Sequence, residues 1–371
     1  MKKSLLGVLL FICAAGYAAV PLVFRGDTLL ENTEYERIQC GDLASKKTMA
    51  EISGIACSRV TPGYIWMESD NISSQIIATT EKGNVCYLKV RLTLSSARWD
   101  WEDLCGGVYD DKNYIFIGAI GDNEENGGEY RIHYFEEPAI PDTIGGTIKI
   151  SAKSIHFQYP NGVKNNAEAL MYDNKEQMLY VITKKYYQPC QVFRMPFRLD
   201  YGTSLQTMEY VCDLGISTDI GIGSTPWGEK AYKGFHLVTG ADISPDGSLV
   251  LIKNQNNTAQ DNNEEFSWVL LWKREGDESI SETLKRQPEV IHSYEQEWQG
   301  EAICWLNNNV FYTMSDDSGN PPIYKYVKPY GESIEVVNRG KKSEWEKVLI
   351  NNTLYLQGNN HLYSLDGRIV K

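Results

Sequence analysis

The sequence predicts an all-β fold, a β-propeller, and three observations carry the prediction. The chain holds 23 Tyr, 9 Trp and 10 Phe beside 31 Gly, a mix that favours strands and turns over helices. Five acidic phrases, each running into small and apolar residues, recur along it: Glu51-Ile52-Ser53-Gly54-Ile55, Trp101-Glu102-Asp103-Leu104, Ala167-Glu168-Ala169-Leu170, Gly240-Ala241-Asp242-Ile243-Ser244 and Gly300-Glu301-Ala302-Ile303. Steps of 51, 66, 74 and 59 residues separate Glu51, Glu102, Glu168, Asp242 and Glu301, which are blade-sized repeats stretched by loops. No stretch sustains a 3.6-residue apolar period over three turns, so helix content should be low.

Taken in order, the first segment stands outside the fold. Met1, Lys2 and Lys3 precede an apolar run from Leu5 to Ala15 and the small-residue stretch Gly16-Tyr17-Ala18-Ala19, the layout of a secretory signal peptide. Residues 1–19 are therefore expected to be removed and the protein to be secreted, to the periplasm, the outer surface or the medium. The run is too short for a membrane span of about 20 residues, and nothing later reaches that length.

Each acidic phrase is followed by a second strand rich in aromatic or β-branched residues: Tyr64-Ile65-Trp66, Tyr114-Ile115-Phe116-Ile117, Leu179-Tyr180-Val181-Ile182, Leu249-Val250-Leu251-Ile252 and Val310-Phe311-Tyr312-Thr313. Turn signals such as Pro245-Asp246-Gly247 separate the strands, and third strands follow, as at Gln191-Val192-Phe193-Arg194 and Trp268 to Trp272. Strand, hairpin and strand repeated about an axis is the propeller plan. Five phrases give five blades, and a strand around Tyr35 to Ile38 pairing with C-terminal strands would close a sixth. Six blades are expected, with five or seven open, over residues 20–346. Residues 347–371 form a short β-rich tail of strands and Asn-rich turns. Its Tyr363-Ser364-Leu365-Asp366-Gly367-Arg368 end resembles the C-terminal tails that act as sorting signals on secreted proteins of the Bacteroidetes; the alternative is that these strands complete the last blade.

With 36 Lys+Arg against 49 Asp+Glu the net charge is −13 and the pI about 5.0. A nucleic-acid or anionic-lipid binder needs a basic face, so neither is expected. The expected partner is a small-molecule or glycan ligand at the channel mouth of a monomer. Seven cysteines follow the leader, Cys40, Cys57, Cys86, Cys105, Cys190, Cys212 and Cys304. Their spacing matches no metal site. They read as small buried hydrophobes, with one or two bridges open.

Inner strands line a propeller's channel, so one acidic residue per blade makes a ring of carboxylates. Like charges in a narrow tunnel raise one another's pKa unless a cation compensates. Oxygen-only donors favour a hard ion, and flexible loop carbonyls favour Ca²⁺ over Mg²⁺. The candidate ligands are Glu51, Glu102, Asp103 and Glu301, with Asp122 from the loop Gly118-Ala119-Ile120-Gly121-Asp122-Asn123. Similar loops at Ser69-Asp70-Asn71 and Ser315-Asp316-Asp317 follow second strands at one mouth. Glu168 and Asp242 are the candidate catalytic carboxylates, with Lys184 and Lys253 at matching places to stabilise a developing oxyanion. His133, His156 and His236 sit in no paired motif, and no G-x-S-x-G elbow appears.

In this order Glu-x-Ser-Gly, Asp100-Trp101-Glu102-Asp103, Ile120-Gly121-Asp122-Asn123, Ala167-Glu168-Ala169-Leu170, Thr239-Gly240-Ala241-Asp242-Ile243-Ser244-Pro245-Asp246-Gly247 and Gly300-Glu301-Ala302 resemble a group of secreted bacterial propeller proteins related to phytase-like esterase propellers. The resemblance runs from about Glu51 to Tyr326 and implies a six-bladed propeller. The chain departs from it at Ser69-Asp70-Asn71-Ile72-Ser73, at Ala119 in place of Asp, and at Lys253 in place of Arg, which removes a carboxylate from the mouth. The Asp-Asp-Pro-Ala type motif of calcium phytases is absent, so their activity is not implied. The leading expectation is a Ca²⁺-dependent hydrolase of phosphoesters, esters or lactones. The alternatives are a non-catalytic glycan- or protein-binding propeller with a structural metal, and a glycan hydrolase or lyase using the carboxylates directly.

Overall fold

A computed structural model describes residues 22–43, 51–70, 74–94, 100–185, 188–218, 237–255, 266–297, 299–316, 321–329, 346–350, 353–358 and 361–364. The expected leader, His236, and Asp317 to Asn320 lie outside these residues.

Five antiparallel sheets make five blades. From the axis outward, blade 1 is Ile52–Cys57, Tyr64–Ser69, Gln75–Thr80 and Leu88–Thr93. Blade 2 is Trp101–Tyr109, Lys112–Ala119, Tyr130–Glu136 and Lys153–Gln158. Blade 3 is Ala167–Asp173, Met178–Thr183, Cys190–Pro196 and Glu209–Leu214. Blade 4 is Leu237–Ile243, Leu249–Gln255, Phe266–Lys273 and Glu289–Gln296. Blade 5 is Gly300–Asn307, Val310–Ser315, Pro322–Val327 and, from the N-terminal side of the chain, Glu36–Asp42. The inner strands neighbour one another in the order 1, 2, 3, 4, 5 and back to 1, closing a ring. Five blades is the lowest of the expected numbers, and among the described residues no sixth forms because the strand over Glu36–Asp42 is the outer strand of the fifth.

The second strands are continuous apolar runs because both faces are buried, as in sheets covered on two sides. Ile115 and Ile117 pack toward blade 1 while Tyr114 and Phe116 pack toward blade 3. Five hydrophobic clusters result, one between each pair of neighbouring blades. Close approach at the axis demands small residues. A Cβ at Gly54 would lie 2.4 Å from the backbone nitrogen of Leu104, and one at Gly240 would lie 2.5 Å from the carbonyl oxygen of Glu301.

Outer edges are covered by short parallel strands lent by the following blade. Gly146–Ser151 pairs with Leu88–Thr93, Leu205–Thr207 with Lys153–Gln158, and Leu30–Asn32 with Glu289–Gln296. Each lies just before the fourth strand of the next blade, so one device both protects an exposed edge and ties neighbours together. A second unit runs from Lys328 to Lys371. Its strands Glu346–Ile350, Thr353–Gly358 and His361–Ser364 form an antiparallel sheet of their own.

Candidate functional site at the mouth of the central channel

Every inner strand carries a β-bulge at the same place. Pairing with the second strand skips one residue between Ile52 and Gly54, Trp101 and Asp103, Ala167 and Ala169, Val238 and Gly240, and Gly300 and Ala302. The bulged residues are Ser53, Glu102, Glu168, Thr239 and Glu301. A bulge re-aims a side chain, and three of these five aim a carboxylate at the mouth. The register also fixes which residues of the second strands stand beside them. Asp70, Ile120, Lys184, Gln255 and Asp316 occupy one equivalent level, and Glu68, Gly118, Ile182, Lys253 and Met314 the level beneath.

Lys184 sits among the acids. Its Nζ donates to Glu168 and lies 3.6 Å from Glu301 Oε1. Gln255 Nε2 donates to the same Glu301 oxygen at 3.4 Å, Ser53 Oγ lies 3.4 Å from Glu301 Oε2, and Asn166 Nδ2 donates to Glu168 Oε1 at 3.3 Å. Glu68 is fully buried and neither of its carboxylate oxygens makes a hydrogen bond of ordinary geometry; the backbone of Gly54 is its one weakly favourable neighbour.

The acids raise one another. Burial, then Glu168, Asp316 and Asp70, push the Glu301 carboxyl up to about 8 against the opposing charge of Lys184. Burial, then Asp70 and Glu51, push Asp316 up to about 7. Glu68 and Glu102 are driven well above the carboxylate range, by burial first and by neighbouring acids second. Burial opposes the charge on Lys184, yet Glu168 and Glu301 hold its pKa above the ordinary lysine value. In the absence of a bound cation the native state therefore keeps protons that an unfolded chain releases, from the ordinary glutamate value of 4.5 to about 8. Stability from these groups falls as pH rises through that window. Thermal melts in chelator are expected to show a melting temperature declining from pH 5 to pH 8; a rising one contradicts this electrostatic picture.

The other candidates have different employment. Asp103 is buried at the axis, where its carboxyl accepts from the backbone N–H of Leu104 at 2.8 Å, Leu170 at 2.8 Å and Ala241 at 3.4 Å. It joins blades 2, 3 and 4 and has little left for a metal. Asp242 lies three residues beyond the bulge, so the mouth position of blade 4 belongs to Thr239. Its carboxyl, pushed up to about 6 by burial, accepts from Ile243 and, in blade 5, from Trp305 at 2.8 Å. Asp122 caps its own loop, accepting from Asn126, Gly127 and the Tyr130 hydroxyl at 2.7 Å. Lys253 is not at the level of Lys184; it is wholly buried against Glu297, which also accepts from Ser267 and Thr313. Glu51 precedes the first inner strand and is felt by Asp316 at the mouth. His133 is buried on Ser154, and His156 pairs with Glu129.

Glu68, Gln255 and Glu297 were not legible as site residues. The signal for Glu68 was a carboxylate ending the apolar run Tyr64-Ile65-Trp66-Met67, where a doubly covered strand tolerates a charge only for a reason. Among the described residues no group of three or more His, Cys, Asp or Glu side chains already stands as a metal-ligating cluster.

No family model matches the chain, and no curated protein matches it. Among solved structures it is similar to a glucose dehydrogenase, at 9% identity and a TM-score of 0.38 over 78% of this chain and 98% of that one. It is also similar to a structural genomics protein of unknown function from Bacteroides thetaiotaomicron, at 10% identity and a TM-score of 0.37 over 79% and 76%. A chain of a mitotic checkpoint complex matches at 10% identity and 0.32 over 75% and 63%. Likenesses this distant carry no argument about activity. No helix among the described residues is long and apolar enough to cross a membrane.

Proposed function

We propose that the protein is a secreted, cation-dependent hydrolase of phosphoester, ester or lactone bonds that works at the channel mouth. One observation carries the reading: Glu68, Asp70, Glu102, Glu168, Glu301 and Asp316 share the mouth with the ammonium of Lys184, and neither oxygen of the fully buried Glu68 makes a hydrogen bond of ordinary geometry. Six carboxyl groups around one lysine raise one another's pKa and hold protons that a hard divalent ion such as Ca²⁺ would displace. Glu68, Asp70, Glu301 and Asp316 would hold it, and bound there it supplies Lewis-acid polarisation of a substrate oxygen. A set that must gather on binding is expected to be weak, with a dissociation constant of about 10⁻⁴ to 10⁻³ M. Lys184 orients an anionic substrate oxygen and stabilises charge that develops on it. Asp316, raised to about 7 in the metal-free protein, would give up its proton as it takes up the ion.

The non-catalytic binding propeller has its own support, since Lys184 and Glu168 are locked on each other and Asp103 and Asp242 serve as ties between blades. A screen of phosphoesters, esters and lactones separates the two. Turnover that falls at least about 100-fold in chelator and in Asp316→Asn supports the hydrolase; no turnover by protein that binds calcium supports the binding propeller.

A further inference from the structure

The inner strand of blade 1 ends at Cys57, and Cys304 stands in the inner strand of blade 5. Their sulfurs are 3.5 Å apart although 247 residues separate them in sequence. This is the seam at which the ring closes. Across it the Tyr312 hydroxyl and Lys325 Nζ of blade 5 both bind Glu81 Oε2 at 2.9 Å, beside side-chain packing between blades 5 and 1, and the pairing of Glu36–Asp42 with Pro322–Val327 completes blade 5. A sulfur–sulfur bond of about 2.05 Å requires the two sulfurs to close by roughly 1.5 Å.

We propose that Cys57 and Cys304 are a redox-active pair that forms a disulfide across this seam, with a small-molecule disulfide such as oxidised glutathione as the electron acceptor. Cys57 is the half-buried partner and Cys304 the buried one, so the order of events follows from access. The Cys57 thiolate attacks one sulfur of the acceptor, forming a mixed disulfide and expelling one thiolate. The Cys304 thiolate then attacks the Cys57 sulfur and expels the second. Two protein thiols lose two protons and two electrons, and one acceptor disulfide becomes two thiols. Burial, and then Cys57 itself, push the Cys304 thiol well above its ordinary value, so the second step should quicken with rising pH. The bond joins the blade that bears Glu68 and Asp70 to the blade that bears Glu301 and Asp316. It depends on the seam alone and not on what the mouth binds.

The test is peptide mapping of the full chain by mass spectrometry after equilibration in oxidised glutathione at pH 8, with a thermal melt of the same samples. A peptide pair linking Cys57 to Cys304 is expected, together with a rise of about 5–10 °C in melting temperature over the reduced protein. Cys57→Ser should lose both the link and the rise. Recovery of Cys57 as a lasting glutathione adduct with Cys304 free, recovery of both as free thiols, or pairing of either with another cysteine overturns the proposal, and the wild-type map gives that answer even if the variant does not fold.

Discussion

Asp103→Ala is expected to destabilise the propeller by about 3–5 kcal/mol, because it strands three buried backbone N–H groups at the axis. Those groups belong to Leu104, Leu170 and Ala241, in three different blades. The loss is a large share of the ~5–15 kcal/mol by which domains are stable, and the melting temperature should fall by about 10 °C. Asp103→Asn is expected to be milder. Its amide oxygen can still accept from Leu170 and Ala241, and the amide nitrogen strands the Leu104 N–H alone. Denaturant melts of the two variants check the pair of expectations. Equal losses would mean that the negative charge, rather than the accepting oxygens, holds the axis.

Lys184→Met should do comparable harm for a different reason. It leaves Glu168 and Glu301, both buried, without their ammonium, and breaking one side of a buried ion pair costs about 3–5 kcal/mol. Adding Glu168→Gln removes one of the abandoned charges, so the double variant should recover a good part of the loss, with a coupling of about 2 kcal/mol in the cycle. Calcium should stabilise Lys184→Met more than wild type, since an ammonium no longer competes for the same carboxylates. Losses that simply add in the double variant, with no gain in calcium, would show that the side chain matters for packing rather than charge.

The fold was legible because its signal repeats. Each acidic phrase marks an inner strand, each following apolar run marks a second strand buried on both faces, and the five phrases account for the five blades. The blade count stayed open because the closing strand Glu36–Asp42 lies far from its partner Pro322–Val327, and pairing across that separation leaves no local trace. The site was half legible. Glu102, Glu168, Glu301 and Lys184 come together at the mouth, whereas Asp242 and Lys253 do not, because the mouth level is set by the bulges. A one-residue bulge changes which side chain faces the channel. Spacing between carboxylates cannot register that shift, so Thr239 was passed over for Asp242 and Gln255 for Lys253. Asp103 resembles a ligand in sequence and is a tie in structure, because close inner strands present N–H groups to any acceptor at the axis.

The central claim is that the mouth's surplus of carboxylates binds a divalent cation. It is tested most directly by calorimetric titration of Ca²⁺ into metal-free protein near pH 7, in two buffers of different ionisation enthalpy. The account predicts one saturable site with release of protons, since a cation pulls down the raised carboxyls of Glu301 and Asp316, and marked weakening in Glu68→Gln. Absence of saturable heat up to about 10 mM, ten times the weak end of the expected range, or binding untouched by Glu68→Gln, would contradict it.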